Sequence, residues 1–296
     1  MISLSEADAL DTGLSSVKEG DESRAFQALD SLKGIAEGFL EEKELEDAKR
    51  VIQGLEDIAV AAAGSAMELL AINSTLAFGE LAKTAAGKGF ESLVRKNMLA
   101  IGKVGKTAAE QELEAGSKVA VTTLMELWNN PDLQKERDIT ISTALFLKEI
   151  GVASAKRNQE EAVINAAIFL GEIGRKSVEE SLESETLSAL ILVEEIGHEA
   201  AESYLDEGLS KAALAVEEIG KLAIKKKLEA AMLQSRWALE AFRVRAKEKI
   251  LTHSDIVVEV ALEPFQPFEE LDSNENIEKI REIKKLHNKL ASEMEL

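Results

Sequence analysis

Four seven-residue phrases, LFLKEIG, IFLGEIG, ILVEEIG and LAVEEIG, end at Gly151, Gly174, Gly197 and Gly220, each glycine 23 residues after the last. The same interval stepped back from Gly151 lands on Trp128, Gly105, Ala82, Ala59, Ala36 and Gly13, and stepped forward from Gly220 on Arg243. With that slot as origin, the preceding residue is Ile35, Ile58, Leu81, Val104, Leu127, Ile150, Ile173, Ile196, Ile219 and Phe242, and Thr12 alone breaks the column. Four before the slot, a second column runs from Leu32 and Leu55 through Phe78 and Ile101 to Leu239 without a polar residue. Two columns held apolar through ten steps mark an internal duplication, and duplication at this period builds a stacked array.

Further columns say what is stacked. Eight before the slot stand mostly small residues, among them Ala28, Ser74, Ala120, Ala166, Ala189 and Ala212. Three after it come Ala62, Ala85, Ala108, Ala200, Ala223 and Ala246, and eight after it Met67, Phe90, Leu113, Leu182, Leu205 and Leu228. Spacings of three and four define one buried face of a helix. Composition agrees, with aromatics at 4% and three prolines in 296 residues, a mixture that costs a helix little side-chain entropy.

Two foldings of the 23-residue unit remain open. In the favoured one, a short helix follows the glycine, a turn falls near Leu182 or Leu205, and a longer helix ends at the next glycine in a left-handed cap. In the other, one helix runs through the slot, as the unbroken spacing and the replacement of glycine by Ala36, Ala59, Ala82 or Trp128 suggest. Alternating helices of that kind are expected to bury different faces and give a 46-residue superperiod, and none is visible.

The phrase Ala166 to Gly174, followed by Ser177 and Val178, resembles HEAT-type repeats, particularly those of phycobilisome-lyase-like proteins. The resemblance covers most of residues 5–250. It implies an all-α solenoid, a right-handed superhelix of about eleven 23-residue HEAT-like units, and a protein-binding role. The expected organisation is an array over 1–250, an acidic segment over 251–275 containing Pro264, Phe265, Pro267 and Phe268, and an amphipathic helix over 276–296. Ile277, Ile280, Ile283, Leu286 and Leu290 line one side of that helix, which either caps the array or pairs two copies as a homodimer.

Chemistry is sparse. There is no cysteine, so neither thiolate catalysis nor a cysteine-bound metal arises. Histidine occurs at 198, 253 and 287. His198-Glu199 resembles one His-Glu motif of the HEAT-type di-iron enzyme that hydroxylates deoxyhypusine, but that site needs several such pairs. No phosphate-binding loop, nucleophile elbow or H-E-x-x-H is present, so no cofactor and no catalytic residue is expected. The apolar run from Ile58 to Ala71 is too short to span a membrane, and residues 1–13 do not read as a signal peptide. A cytoplasmic protein is the plain expectation, and a formal charge of −20 favours solubility and argues against nucleic acid or anionic lipid as partner.

Three features are candidates for a partner surface. An acidic column two before the slot contains Asp57, Glu80, Glu126, Glu149, Glu172, Glu195 and Glu218, interrupted by Lys103. It reads either as a solvated stripe paired with Lys83, Arg175, His198 and Lys221, or as a track for a basic peptide. Trp128-Asn129-Asn130-Pro131 replaces one glycine and is either a packed kink or an exposed aromatic anchor. The third is the pair Phe265 and Phe268, set in an acidic stretch over 263–278 that either folds onto the basic residues 221–249 or presents both rings to another molecule. The function these features favour is a scaffold or adaptor; a self-assembling subunit, or an enzyme with a site near Trp128 or His198, is the alternative.

Overall fold

Each interval of 23 residues forms one α-helix. The computed structural model describes residues 5–131, 133, 137–265 and 273–294. Two compact units divide the chain, Met1–Ile139 and Thr140–Leu296. The first holds α1 (Glu6–Glu19), α2 (Glu22–Glu42), α3 (Leu45–Gly64), α4 (Glu68–Gly87), α5 (Glu91–Glu110) and α6 (Glu114–Trp128). In the second are α7 (Arg137–Lys156), which starts just before the boundary, α8 (Glu160–Glu179), α9 (Glu183–Glu202) and α10 (Asp206–Lys226). There follow α11 (Glu229–Lys249), α12 (Thr252–Leu262), a 3₁₀ turn at Glu263–Phe265, and α13 (Asn274–Glu293). Among the described residues the fold is all-α, a solenoid-type tandem array.

The favoured two-helix unit is therefore corrected. The glycines lie inside helices, and the chain reverses seven residues later. There a single residue takes the left-handed conformation: Gly20, Lys43, Ala66, Gly89, Glu112, Asn158, Ser181, Tyr204, Lys227 and Ile250, with φ between 57° and 77°. At the junction of α9 and α10, Leu205 N–H donates to the Ala200 carbonyl at 2.8 Å and Tyr204 N–H to Ala201 at 3.1 Å. These two bonds satisfy carbonyls that a helix end leaves orphaned, and the apolar residue that follows packs back onto the last turn. That explains the column of Met67, Phe90, Leu113, Leu205 and Leu228, each of which is also the N-cap of the next helix.

An apolar N-cap brings no side-chain cap of its own, as at Leu113, Leu205 and Leu251. The missing acceptor comes from two helices back. Glu68 accepts from Ala115 N–H at 3.0 Å, Glu160 from Glu207 N–H at 3.1 Å, and Asp206 from Ser254 N–H at 2.8 Å. A carboxylate at a helix N-terminus also meets the positive end of the helix dipole. Thus α4, α8 and α10 each hold the start of the next helix but one.

Packing follows the same step. Within its unit, α4 touches both α5 and α6, and α8 both α9 and α10. Odd and even helices form two layers in each unit, joined by turns too tight for anything but antiparallel neighbours. A Cβ on Gly174 would lie 2.4 Å from Ile219 Cδ1 and 3.1 Å from Ala189 Cβ. On Gly197 it would lie 2.4 Å from Phe242 Cζ and 3.1 Å from Ala212 Cβ, and on Gly151 2.7 Å from Ile196 and 3.0 Å from Ala166. In every case the slot meets the residue 45 positions on, and the small residue 15 positions on. Odd and even slots do so alike, so the layers are equivalent and the sequence needs no 46-residue alternation.

The array also runs one unit beyond its expected end. Residues 252–262, expected to belong to a connecting segment, form α12. A Cβ on Gly220 would come 2.3 Å from Phe265 Cζ and 2.8 Å from Ser235 Cβ, so Phe265 fills the place that Ile219 and Phe242 fill for earlier glycines.

Gly174→Ala is expected to cost about 1–3 kcal/mol, since the crossing has no room for a methyl group. Gly34→Ala, in a helix interior with nothing near its Cα, is expected to gain about 0.5–1 kcal/mol. Urea unfolding of the two variants checks both signs.

Candidate interaction surface

The acidic column is largely tied into the array. Glu126 binds Lys83 at 2.9 Å, Glu195 binds Lys148 at 3.3 Å, and Glu80 binds Lys33. Each lysine sits 43 or 47 residues before its carboxylate, three short of or one beyond the 46-residue step between helices of a layer. Glu149 shares Lys148 with Glu195. Burial pushes the Lys148 ammonium down, but the two carboxylates outweigh it and leave it raised. Glu218 is exposed and Glu172 half-buried. Of the expected basic partners Lys83 joins the column, while the others pair elsewhere, Arg175 with Glu179, His198 with Glu194 and Lys221 with Glu217. Lys103 breaks the column because it and Lys96 hold Glu56, which is 3% exposed, at 3.0 and 2.9 Å. Pairs near the surface contribute about 0–1 kcal/mol each, so the column fixes register more than it adds stability.

Trp128 and Phe265 are both packed rather than presented to solvent. Trp128 ends α6 and is 5% exposed. Pro131 lacks an N–H and keeps the residue before it out of the helical region, which stops α6 at fifteen residues. Phe265 is 1% exposed, beneath Gly220. Phe268 lies outside the described residues. In the basic stretch Lys249 binds Glu202 at 2.7 Å, Lys247 binds Glu259 at 2.6 Å, and Arg245 reaches Glu202 at 3.2 Å; Glu269, Glu270 and Asp272 of the acidic stretch lie outside the described residues. Lys249 holds the Glu202 carboxyl below the usual range.

His198 stands 3.7 Å from Glu194 and edge-on to Phe242, with ring centres 5.9 Å apart. No cluster of three or more His, Asp or Glu side chains fit for a metal occurs among the described residues. Nor, among them, is any helix long and apolar enough to cross a membrane.

The third histidine marks a feature that periodicity missed. The C-terminal helix was expected either to cap the array or to pair with a second copy, and it packs on α9 and α11 of its own chain. Asn276, Ile280 and His287 form its buried side. His287 Nε2 lies 2.9 Å from Ser188 Oγ on α9, and Nδ1 has no partner among the described residues. Lys279 reaches Glu183 at 3.4 Å and Lys284 reaches Glu194 at 3.7 Å. Burial, followed by the charges of Lys148 and Lys284, holds His287 down at about 4.

The consequence for pH has a definite sign. A histidine with a depressed folded-state pKa favours the docked state while neutral, so its contribution is full above about 6.5 and falls away as pH drops towards about 4. The full difference is on the order of 3 kcal/mol. Hydrogen exchange in 276–290 is expected to quicken across that window, and His287→Gln to flatten the dependence.

No protein-family model matches the chain, and no curated protein does. A solved structure described as a circular tandem repeat protein with novel repeat topology and enhanced subunit contact surfaces is similar in fold, with a TM-score of 0.55 and 14% identity over 98% of this chain and 74% of that one. At that identity the likeness concerns fold alone, and it places the chain among helical repeat proteins.

Proposed function

We propose that the chain is a non-catalytic scaffold or adaptor, working in the cytoplasm, that binds a partner protein along the outer columns of its stacked helices. The observation that carries this reading is the equivalence of the units. Each helix spends its Gly, Ala and aliphatic columns on its neighbours and leaves the remaining columns to solvent, so the same surface recurs at every second helix. Glu126, Glu195 and Glu218 lie on that surface. Two consecutive helices span 46 residues, the length of a HEAT or armadillo unit, which supports a HEAT-like origin.

The self-assembling alternative draws on α13, but its apolar side is engaged within the chain. Immobilised full-length protein is expected to retain a specific partner from the extract of its own cell, protecting exposed columns from hydrogen exchange. Retention of nothing beyond a charge-matched control protein would contradict the proposal.

A further inference from the structure

Six before the slot, the second unit carries an apolar residue in every helix from α7 to α12: Leu145, Ile168, Ile191, Leu214, Trp237 and Val260. The two layers use them differently. On the odd layer, which α13 crosses, Leu145 and Ile191 are each 1% exposed. On the even layer the same position is open, with Ile168 at 38%, Leu214 at 43% and Val260 at 56%, and Ile256 one turn before Val260 at 63%. Because α8, α10 and α12 pack in succession, these aliphatic side chains form one stripe.

A single step of the repeat carries the seat of α13 onto this stripe. Stepping back 23 residues takes Ile191 to Ile168, Trp237 to Leu214 and Ser188 to Asn165. Two of the three acids follow, Glu183 becoming Glu160 and Glu229 becoming Asp206, the counterparts of the residues that meet Lys279 and Asn276 of α13, while Glu194, which meets Lys284, becomes Gly171. Exposed Glu218 adds negative charge beside Leu214. The open face therefore repeats the apolar row and two of the three carboxylates of a face that already holds a helix.

We infer that the even face of the second unit, centred on Leu214, docks an amphipathic helix of another protein, aliphatic at spacings of three and four and flanked by lysine or arginine. This rests on the scaffold reading and names the partner's chemistry. A second copy of this chain is the poorer occupant, since its α13 already has Asn276, Ile280 and His287 buried at home. The binding mode is a helix laid in a groove, with anchors on one side.

The probe is a synthetic peptide with the sequence of residues 273–294, titrated into the full-length protein. The tethered α13 has the advantage of high effective concentration on its own seat, so the peptide samples the open face. Saturable one-to-one binding is expected, weakened by about tenfold or more in Leu214→Asp, where a central anchor is lost. Leu76→Asp, at the same slot of α4 and 47% exposed, is expected to leave binding unchanged. A peptide with Lys279→Glu and Lys284→Glu is expected to bind at least about tenfold more weakly. Circular dichroism melting confirms that both protein variants are folded.

Absence of peptide binding, or binding indifferent to Leu214→Asp, overturns the inference. So does dimerisation of the chain abolished by Leu214→Asp, which assigns the face to a second copy. A captured partner protein retained equally by Leu214→Asp overturns the inference while leaving the scaffold reading intact. Peptide binding sensitive to Leu214→Asp, with no protein captured from extract, supports the site and removes the scaffold.

Discussion

The contact between a slot residue with no side chain and an aliphatic or aromatic side chain 45 residues later governs the rest of this structure. Gly151, Gly174, Gly197 and Gly220 receive Ile196, Ile219, Phe242 and Phe265 at distances that exclude a β-carbon. Close approach of this kind brings helices of one layer near enough for second-neighbour contacts to rival those between successive helices. Once that interval is set, the polar ties follow from it, since side chains 43, 47 or 48 residues apart then face each other within a layer. Lys83 with Glu126 and Lys148 with Glu195 are examples, as are the carboxylates that cap the next helix but one.

The same constraint accounts for the turns. A left-handed residue other than glycine costs about 1–2 kcal/mol, yet eight of the described positive-φ residues are not glycine. They are held by backbone bonds and, at Ala66, Glu112, Ser181, Tyr204, Lys227 and Ile250, by a following apolar residue that serves both as the anchor of one helix end and the start of the next. Strain at the turn is the condition for equal spacing of the helices.

Helical class, period and the small and aliphatic columns were legible from residues alone. The division of the unit was not, because glycine at a fixed place after EI reads equally as a helix terminus or as a crossing point. What decides between them lies seven residues on, at positions such as Lys43, Tyr204 and Ile250, whose side chains give no sign of a left-handed backbone. Pro264 hid the twelfth unit, although Val258, Leu262 and Phe265 continue its columns. The candidate surface was legible only in part. Its carboxylates were visible as a column, but their lysines came from two helices away, and the two aromatic anchors fit the columns of a core. The seat of α13 depends on which layer it crosses, a fact that no local pattern contains.

The account is tested most directly by a double-mutant cycle on one crossing. Ile219→Val removes the Cδ1 that a methyl group on residue 174 would strike first. In urea unfolding, Gly174→Ala and Ile219→Val together are predicted to cost less than the sum of the two alone by about 1 kcal/mol or more. Strict additivity would contradict a contact between these residues and, with it, the 45-residue interval on which the array is built.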